Sequence, residues 1–362
     1  MTAQGSGLDS VLRKIVEATI ALHGNAEEEP FPIGLVDINN WEWPQGIGLY
    51  GLFQYAKATE DTRIMAFLEG WFERHFHNGL PARNINTTAP LLALISWYEF
   101  TQSAEQNFGE KYLSLCHDWA NWLVTTLPRA GEGAFQHTIT GDSNDGQILI
   151  DTLVMATLFL AKLGKISNRS DLVDEALYQW LVHIKYLIDP KTGLFFHGWT
   201  FRERHHYGAV RWGRGNSWFT IGAVELFELL DSTSGSTLRL IQETWKRHIA
   251  ALSALQERDG MWHTVLDDRS SYLESSSTAG FAYGILKGVR LGYLSEEWKP
   301  LGERAISGLV NRVQSDGVLR DVSYGTPVGE TVEFYKAISV KPMTYGQALA
   351  TLALSEGLYL EL

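Results

Sequence analysis

Two kinds of helical segment alternate along this chain of 362 residues, and this alternation restricts the possible folds. Segments such as 171–187 and 236–255 carry charged residues along one face, whereas 147–163, 217–230 and 276–291 are nearly uncharged and rich in Ala, Gly and Leu. A helix with one polar face lies on a surface, and a helix that is apolar on all sides lies inside. The pattern therefore predicts outer helices packed around inner ones.

Helical spacing of apolar residues predicts about twelve helices of ordinary length. They cover 8–22, 45–58, 61–76, 88–102, 106–127, 146–163, 167–188, 215–230, 236–256, 276–291, 296–314 and 343–356. Four charged segments are followed by a glycine turn and a short apolar piece that we expect to form a ribbon. These pieces are Gly133-Ala-Phe-Gln-His137, Gly193-Leu-Phe-Phe-His197, Gly260-Met-Trp-His263 and Gly317-Val-Leu-Arg320.

A unit of outer helix, turn and inner helix recurs every ~40–70 residues, which is typical of proteins that bury their core by stacking repeats. Six such hairpins would close into a ring. We therefore predict an all-α fold, an (α/α)6 barrel with short β-ribbons in its loops, as one domain over residues 1–362. The alternative is an open solenoid of the same hairpins, because periodicity does not show whether the ring closes.

The composition argues against several classes of partner. A formal net charge of −12 makes nucleic acid and anionic membranes poor partners, and no apolar stretch is long enough for a transmembrane helix. Thirteen Trp, fourteen Tyr and sixteen Phe exceed the need of a core and suit a cleft that stacks on sugar rings. With one cysteine, Cys116, and no leader-like pattern in the first ten residues, a cytoplasmic location is expected.

Polar and aromatic residues recur where the predicted inner helices begin. If these helices all run in one direction, their N-terminal ends share one mouth of the ring. The candidate substrate-binding residues there are Trp43, Asn86, His137, His197, Trp212, Arg214, Asn216 and Trp218. Aromatic rings, amides and a few basic groups are suited to binding a sugar that carries an anionic group.

Asp151 is the candidate catalytic residue. It lies in the first turns of an otherwise apolar predicted helix, in Ile148-Leu-Ile-Asp-Thr-Leu-Val-Met155. Burial among apolar neighbours is expected to raise the pKa of this carboxyl group, so that it can hold and donate a proton near neutral pH. The alternative is a structural aspartate that accepts hydrogen bonds or balances the helix dipole.

The run Arg211-Trp-Gly-Arg-Gly-Asn-Ser-Trp218 is a second candidate element. Its glycines allow close approach of the backbone, Arg214 offers a planar fork for a carboxylate, and Trp212 and Trp218 can flank a ring. Alternatively, Asn216 or Ser217 caps the helix and the tryptophans pack between hairpins. No metal site is predicted, because His205-His206 has no accompanying ligand spacing. Dinucleotide and P-loop motifs are also absent from the sequence.

Six motifs in this order resemble the unsaturated glycuronyl hydrolases, most closely the unsaturated rhamnogalacturonyl hydrolases of glycoside hydrolase family 105, with family 88 more distant. They are Trp41-Glu-Trp-Pro-Gln-Gly-Ile-Gly-Leu-Tyr50, Asn84-Ile-Asn-Thr-Thr-Ala-Pro90, Ile150-Asp-Thr-Leu-Val-Met155, Phe196-His-Gly-Trp199, Trp212-Gly-Arg-Gly-Asn-Ser-Trp218 and Tyr272-Leu-Glu-Ser-Ser-Ser-Thr-Ala279. The resemblance implies an (α/α)6 barrel without metal or organic cofactor. It also implies a small oligosaccharide substrate with a 4,5-unsaturated uronic acid at its non-reducing end.

In the reaction that the resemblance implies, Asp151 protonates C4 of the vinyl ether and then accepts a proton from the water that adds at C5. His197, Trp212, Arg214 and Trp218 would line the sugar subsite, with Arg214 near the uronate carboxylate. Many relatives have a second aspartate where this chain has Asn86. An amide cannot act as a carboxylate base, although it can orient a hydroxyl group or water.

Three other functions remain compatible with the sequence. An inverting glycosidase on the same barrel would need a second carboxylate about 6.5–9.5 Å from the first, with Asp145 or Glu274 as candidates. A sugar epimerase of this architecture is another possibility, and a carbohydrate-binding scaffold without turnover is the third.

Overall fold

The computed structural model describes residues 3–24, 35–103, 109–230 and 235–362, and within these ranges the chain forms two concentric layers of helices. The outer layer consists of α1 (Ala3–Ile20), α3 (Thr62–Asn78), α6 (Glu110–Thr125), α8 (Ser170–Leu187), α10 (Ser236–Ser253) and α12 (Lys299–Val310). The inner layer consists of α2 (Trp43–Thr59), α5 (Pro90–Ser103), α7 (Leu158–Ile166), α9 (Gly213–Leu230), α11 (Ser275–Arg290) and α14 (Thr344–Tyr359).

The inner helices close into a ring. Each contacts the next in chain order, and the last, α14, contacts both α11 and the first, α2. The outer helices pack against the inner ones from outside. The (α/α)6 barrel is therefore confirmed, and the open solenoid is excluded by the contact between α14 and α2.

Small residues let the inner helices approach closely. A Cβ atom on Gly51 of α2 would lie 2.9 Å from the Cβ atom of Ala348 in α14. A Cβ atom on Gly284 of α11 would lie 2.9 Å from the carbonyl oxygen of Thr220 in α9. Both distances are too short for a real side chain, which explains why the predicted inner segments are rich in glycine and alanine.

The third inner hairpin differs from the predicted helix over 146–163. Its first residues form strand β1 (Gln147–Leu149), which pairs antiparallel with β2 (Gly198–Thr200). A π-helical turn, Leu153–Thr157, then leads into α7. A short apolar run fits a strand as well as a helix, so periodicity could not locate this boundary. Residues 106–108 of another predicted helix lie outside the described residues.

Further short elements precede the inner helices. Strand β3 (Trp262–His263) pairs with β4 (Leu273–Glu274), directly before α11. Isolated bridges join Arg129 to Phe135, Ile188 to Phe195 and Val313 to Leu319, so the expected ribbons are present. Two short helices were not predicted, α4 (Ile85–Thr88) and α13 (Val332–Lys336). In the described part of the chain, no helix is both long and apolar enough to cross a membrane.

Candidate active site

A cavity of about 330 Å³ opens where the inner helices begin. Its volume is at the lower end of the range for sites that bind small molecules. It is lined by Trp43, Asn86, His137, Ile139, Asp142, Asn144, Gln147, Leu149, Asp151, Met155, His197, Tyr207, Trp212, Arg214, Thr326, Pro327, Val328 and Glu330. Seven of the nine residues singled out from the sequence are thus in this lining.

Asp151 lies in the turn between β1 and the π-helical turn, with its side chain 15% exposed. The indole Nε1 of Trp218 donates a hydrogen bond to its Oδ1 at 3.0 Å. Nε2 of His197 lies 3.3 Å from Oδ2, but the two atoms are not aligned as a hydrogen bond, and neither has another partner. One carboxylate oxygen is therefore held in place by Trp218, and the other is buried without a hydrogen-bond partner.

The electrostatic surroundings of Asp151 differ from the expectation. Burial, the largest influence, raises the pKa of Asp151, but the contact with His197 and the electrostatic effects of His197, His137 and Arg214 outweigh it. The pKa lies below its usual value, so the expectation of a raised pKa was wrong for the free protein. The sequence around Asp151 is mostly apolar, whereas the compensating groups come from elsewhere in the chain.

Two buried histidines flank this carboxylate. His137 Nδ1 lies 2.8 Å from Oγ1 of Thr152, and burial lowers the pKa of His137 to about 4, so its imidazole is neutral at pH 7. His197 Nδ1 lies 2.7 Å from the hydroxyl oxygen of Tyr335, and its ring packs against Trp212 with centroids 4.2 Å apart. Both histidines line the cavity as the sequence predicted.

Arg214 is fully buried next to the cavity. Its guanidinium carbon lies over three aromatic rings, 4.5 Å from the centroid of Trp212, 4.7 Å from Tyr345 and 6.0 Å from Trp43. Among the described residues, Arg214 forms no ion pair. Every atom there that accepts a hydrogen bond from its guanidinium group is neutral. A buried cation without a carboxylate partner favours an anionic ligand.

The fork of Arg214 is nevertheless occupied. One terminal nitrogen donates to the carbonyl oxygen and hydroxyl of Ser323, and the other donates to Tyr324 O and Thr326 Oγ1, both at 3.0 Å. Only Nε lacks a partner. A bidentate grip on a carboxylate is unavailable while these bonds persist, and in this structure the guanidinium group holds the chain around residues 323–326.

The remaining predicted residues divide into two groups. Trp43, Asn86 and Trp212 line the cavity, and Trp43 stacks on Tyr345 with ring centroids 4.6 Å apart. Trp218 and Asn216 do not line it. Asn216 accepts a hydrogen bond from Phe195 N and donates to the carbonyl oxygens of Phe195 and Trp212. It therefore lies inside α9 and joins the helix to the ribbon at Phe195, which neither interpretation of this residue expected.

The two further carboxylates considered from the sequence are also outside this lining. Asp145 pairs with Arg202 at the surface, with its side chain 53% exposed. Glu274 is buried, and its carboxylate accepts hydrogen bonds from Ser276, Ser277 and Ser323 N at the start of α11. Neither group is placed to serve as the second acid or base of an inverting glycosidase.

Several residues of the site were missed. Thr326, Pro327, Val328 and Glu330 come from the long loop between α12 and α14, and Asp142, Asn144 and Tyr207 come from the ribbons. The unusual length of the loop after α12 and its run Gly325-Thr-Pro-Val-Gly329 were the only signals, since long ordered loops are often functional. In the described ranges, no three His, Cys, Asp or Glu residues group as a metal site.

The chain is similar to known proteins both in sequence and in fold. Residues 14–360 match the Glycosyl Hydrolase Family 88 domain. The chain is 30% identical to the unsaturated rhamnogalacturonyl hydrolase YesR of Bacillus subtilis over 87% of its length and 89% of that protein. A solved structure from Salmonella enterica serovar Paratyphi A, described as a possible member of family 105, is 38% identical. It superposes with a TM-score of 0.93 over 99% of this chain and 95% of that one.

A more distant likeness concerns the fold alone. The unsaturated glucuronyl hydrolase of a Bacillus species, described as responsible for glycosaminoglycan degradation, is 18% identical. It superposes with a TM-score of 0.72 over 98% of this chain and 96% of that one. The ring of helical hairpins is therefore shared even where few side chains are.

Proposed function

This chain belongs to Glycosyl Hydrolase Family 88, and we propose that it removes a 4,5-unsaturated uronic acid from the non-reducing end of oligosaccharides produced by polysaccharide lyases. It is a glycosidase that would act by hydrating the C4=C5 double bond. The observation that carries the proposal is a buried cation, Arg214, without a carboxylate partner, on the same cavity lining as Asp151, whose Oδ2 has no hydrogen-bond partner. A uronate supplies the missing anion next to the acid.

Asp151 would act first as an acid and then as a base. Protonated Asp151 gives its proton to C4, and positive charge develops at C5 and the ring oxygen. Water then adds at C5 and returns a proton to Asp151, so the acid is restored. The hemiketal formed at C5 opens, and the aglycone leaves from C1. One carboxyl group suffices, in contrast to displacement at the anomeric carbon, which ordinarily uses two.

The low pKa of Asp151 in the free protein is compatible with this sequence of steps. The uronate carboxylate brings a second negative charge close to Asp151, and the bound sugar excludes water. Both changes disfavour the ionised carboxylate and raise its pKa. The substrate thus promotes protonation of the group that attacks it, while His197 and Trp218 keep the carboxylate oriented.

We propose rhamnose as the aglycone sugar, as in fragments of rhamnogalacturonan. The similarity to YesR supports this choice. In addition, Asp142 and Glu330 are exposed carboxylates on the lining of the cavity. Their negative charge disfavours a sulfated aglycone, and their carboxylate oxygens accept hydrogen bonds from neutral hydroxyl groups.

Two further proposals concern the whole chain. We propose that residues 1–362 form one catalytic domain, because one continuous apolar core includes residues from Leu8 to Leu354. We propose a cytoplasmic location, supported by Cys116 being a free, buried thiol. Fractionation of the source cells tests the location.

The reaction is tested by following the ultraviolet absorbance of the conjugated double bond in a lyase-derived disaccharide with rhamnose as aglycone. Hydration removes this absorbance, and a reaction in heavy water places deuterium at C4 of the product. A matched disaccharide with a sulfated aglycone should react more slowly. Release of the uronic acid with its double bond intact would instead indicate an ordinary glycosidase, and binding without turnover would indicate a scaffold.

A further inference from the structure

Tyr335 is the one buried residue of the short helix α13. It is 1% exposed and packs with Val210, Trp212 and Val265 in a small apolar cluster separate from the main core. The loop that carries Tyr335 also supplies Thr326, Pro327, Val328 and Glu330 of the cavity lining. Nothing in the reaction requires a tyrosine there, yet its hydroxyl group reaches the active site.

The hydroxyl oxygen of Tyr335 has two polar neighbours. The backbone N–H of Gly329 donates a hydrogen bond to it at 3.0 Å, and Nδ1 of His197 lies 2.7 Å away. The Gly329 bond uses the oxygen as an acceptor and leaves the hydroxyl proton free to point at His197 Nδ1, a contact whose direction depends on the tautomer of the ring. When the hydroxyl group is the donor, Nδ1 is the acceptor and carries no proton.

The opposite side of the same imidazole faces Asp151. Nε2 of His197 lies 3.3 Å from Oδ2 of Asp151. A neutral imidazole carries one proton, and with Nδ1 as the acceptor this proton sits on Nε2. An N–H group then faces the carboxylate, whereas the other tautomer would place a lone pair against it.

We propose that Tyr335 is a positioning residue whose hydroxyl group holds neutral His197 in the tautomer with its proton on Nε2, directed at Asp151. The inference rests on the proposed role of Asp151. Because Gly329 is the donor to the same hydroxyl, Tyr335 also couples the loop over the cavity to the orientation of the catalytic carboxylate. When the site fills, the long contact between His197 and Asp151 is expected to shorten into a hydrogen bond.

The first test is nitrogen NMR of the protein labelled at histidine, at a pH where His197 is neutral, with its signals assigned from a His197→Gln variant. The proposal expects the proton on Nε2 in the wild-type protein and a mixture of tautomers in Tyr335→Phe, which keeps the ring and removes only the hydroxyl group. This result is independent of turnover. A wild-type proton on Nδ1 would overturn the inference and leave the proposed function untouched.

Kinetics provide the second test. Tyr335→Phe should lower kcat by about 10-fold to 100-fold with little change in KM, as is usual for groups that orient a reacting residue. The limb of the pH–rate profile due to Asp151 should move to higher pH, since the carboxylate loses a hydrogen-bond donor that favours its charged form.

Tyr283→Phe is the matched control. Tyr283 is also buried, and its hydroxyl group donates to Glu225 at the other end of the ring. This variant should lose thermal stability while keeping the wild-type pH profile and His197 tautomer. A Tyr335→Phe profile and tautomer identical to those of Tyr283→Phe would show that Tyr335 only stabilises the fold.

Discussion

The two ends of the ring each hold a largely buried carboxylate, and they differ in whether other groups of the protein satisfy all of its hydrogen-bonding capacity. At the N-terminal end of the inner helices, Asp151 retains an oxygen without a hydrogen-bond partner. At the C-terminal end, Glu225 accepts hydrogen bonds from Tyr50 at 2.6 Å, from Tyr283 and from Lys287 at 2.6 Å. The pKa of each lies below its usual value, although burial raises both.

The larger cavity is not at the end that holds the proposed catalytic residue. The C-terminal end encloses about 880 Å³, against about 330 Å³ around Asp151. In the larger cavity, Lys287 also pairs with Glu228 at 2.7 Å, and Arg290 pairs with Glu356. Charges that satisfy one another contribute to the fold, whereas unpaired polar atoms at a cavity indicate a site that binds something else.

The largest effect is expected from Asp151→Asn. The amide keeps the shape of the side chain but cannot donate and recover a proton, so kcat should fall by about 10²–10⁴-fold. Loss of the ultraviolet absorbance of an unsaturated disaccharide measures the rate, and the unfolding temperature should stay near that of the wild-type protein. If the variant retains full activity, Asp151 is structural and the two ends of the ring are functionally alike.

The second prediction concerns the C-terminal end of the inner helices, where a substitution should lower stability and leave activity unchanged. Lys287→Met removes the cation from a network in which the lysine side chain is only 4% exposed. Leaving Glu225 without its cation should lower the free energy of unfolding by about 3–5 kcal/mol. Denaturant titration measures the loss. The kcat of the folded fraction should be unchanged, and a parallel loss of kcat would mean that the two ends are coupled.

The pH dependence of kcat/KM follows from the low pKa of Asp151. The carboxyl is ionised in the free protein at neutral pH, and the proposed transition state contains its proton. The value of kcat/KM should therefore rise about tenfold per unit as pH falls from about 7 towards the pKa of Asp151. Lys287→Met should leave this slope as it is. A rate that falls over the same interval would mean that Asp151 begins as a base.

The smallest effect is expected from Arg214→Lys. A lysine keeps the charge but loses the stacking on Trp212 and the bonds to Ser323 and Thr326. KM for the uronate substrate should rise about tenfold, which corresponds to ~1.4 kcal/mol. An analogue whose uronate is a methyl ester serves as the control and should lose less. Equal losses for both would restrict Arg214 to holding the loop.

The layers of the barrel were predictable because helix periodicity and the absence of charge are local properties. Asp151 could be singled out for the same reason, as a carboxylate within an apolar run. The bonds around Arg214 could not be inferred, since Ser323 and Thr326 lie more than one hundred positions along the chain. The role of Asn216 could not be inferred either, since its hydrogen-bond partners are the backbone N–H and carbonyl oxygen of Phe195, on a different element.

The two classes of helix, the repeated hairpin and the residues gathered where the inner helices begin could all be predicted from local sequence patterns. Only the folded chain shows that the ring closes, that the pKa of Asp151 is lowered, and that Tyr335 contacts His197 across 138 positions. The difference follows from the range of the interactions. Periodicity and turn preference act between neighbours in sequence, whereas electrostatic surroundings and buried hydrogen bonds depend on groups that only folding brings together.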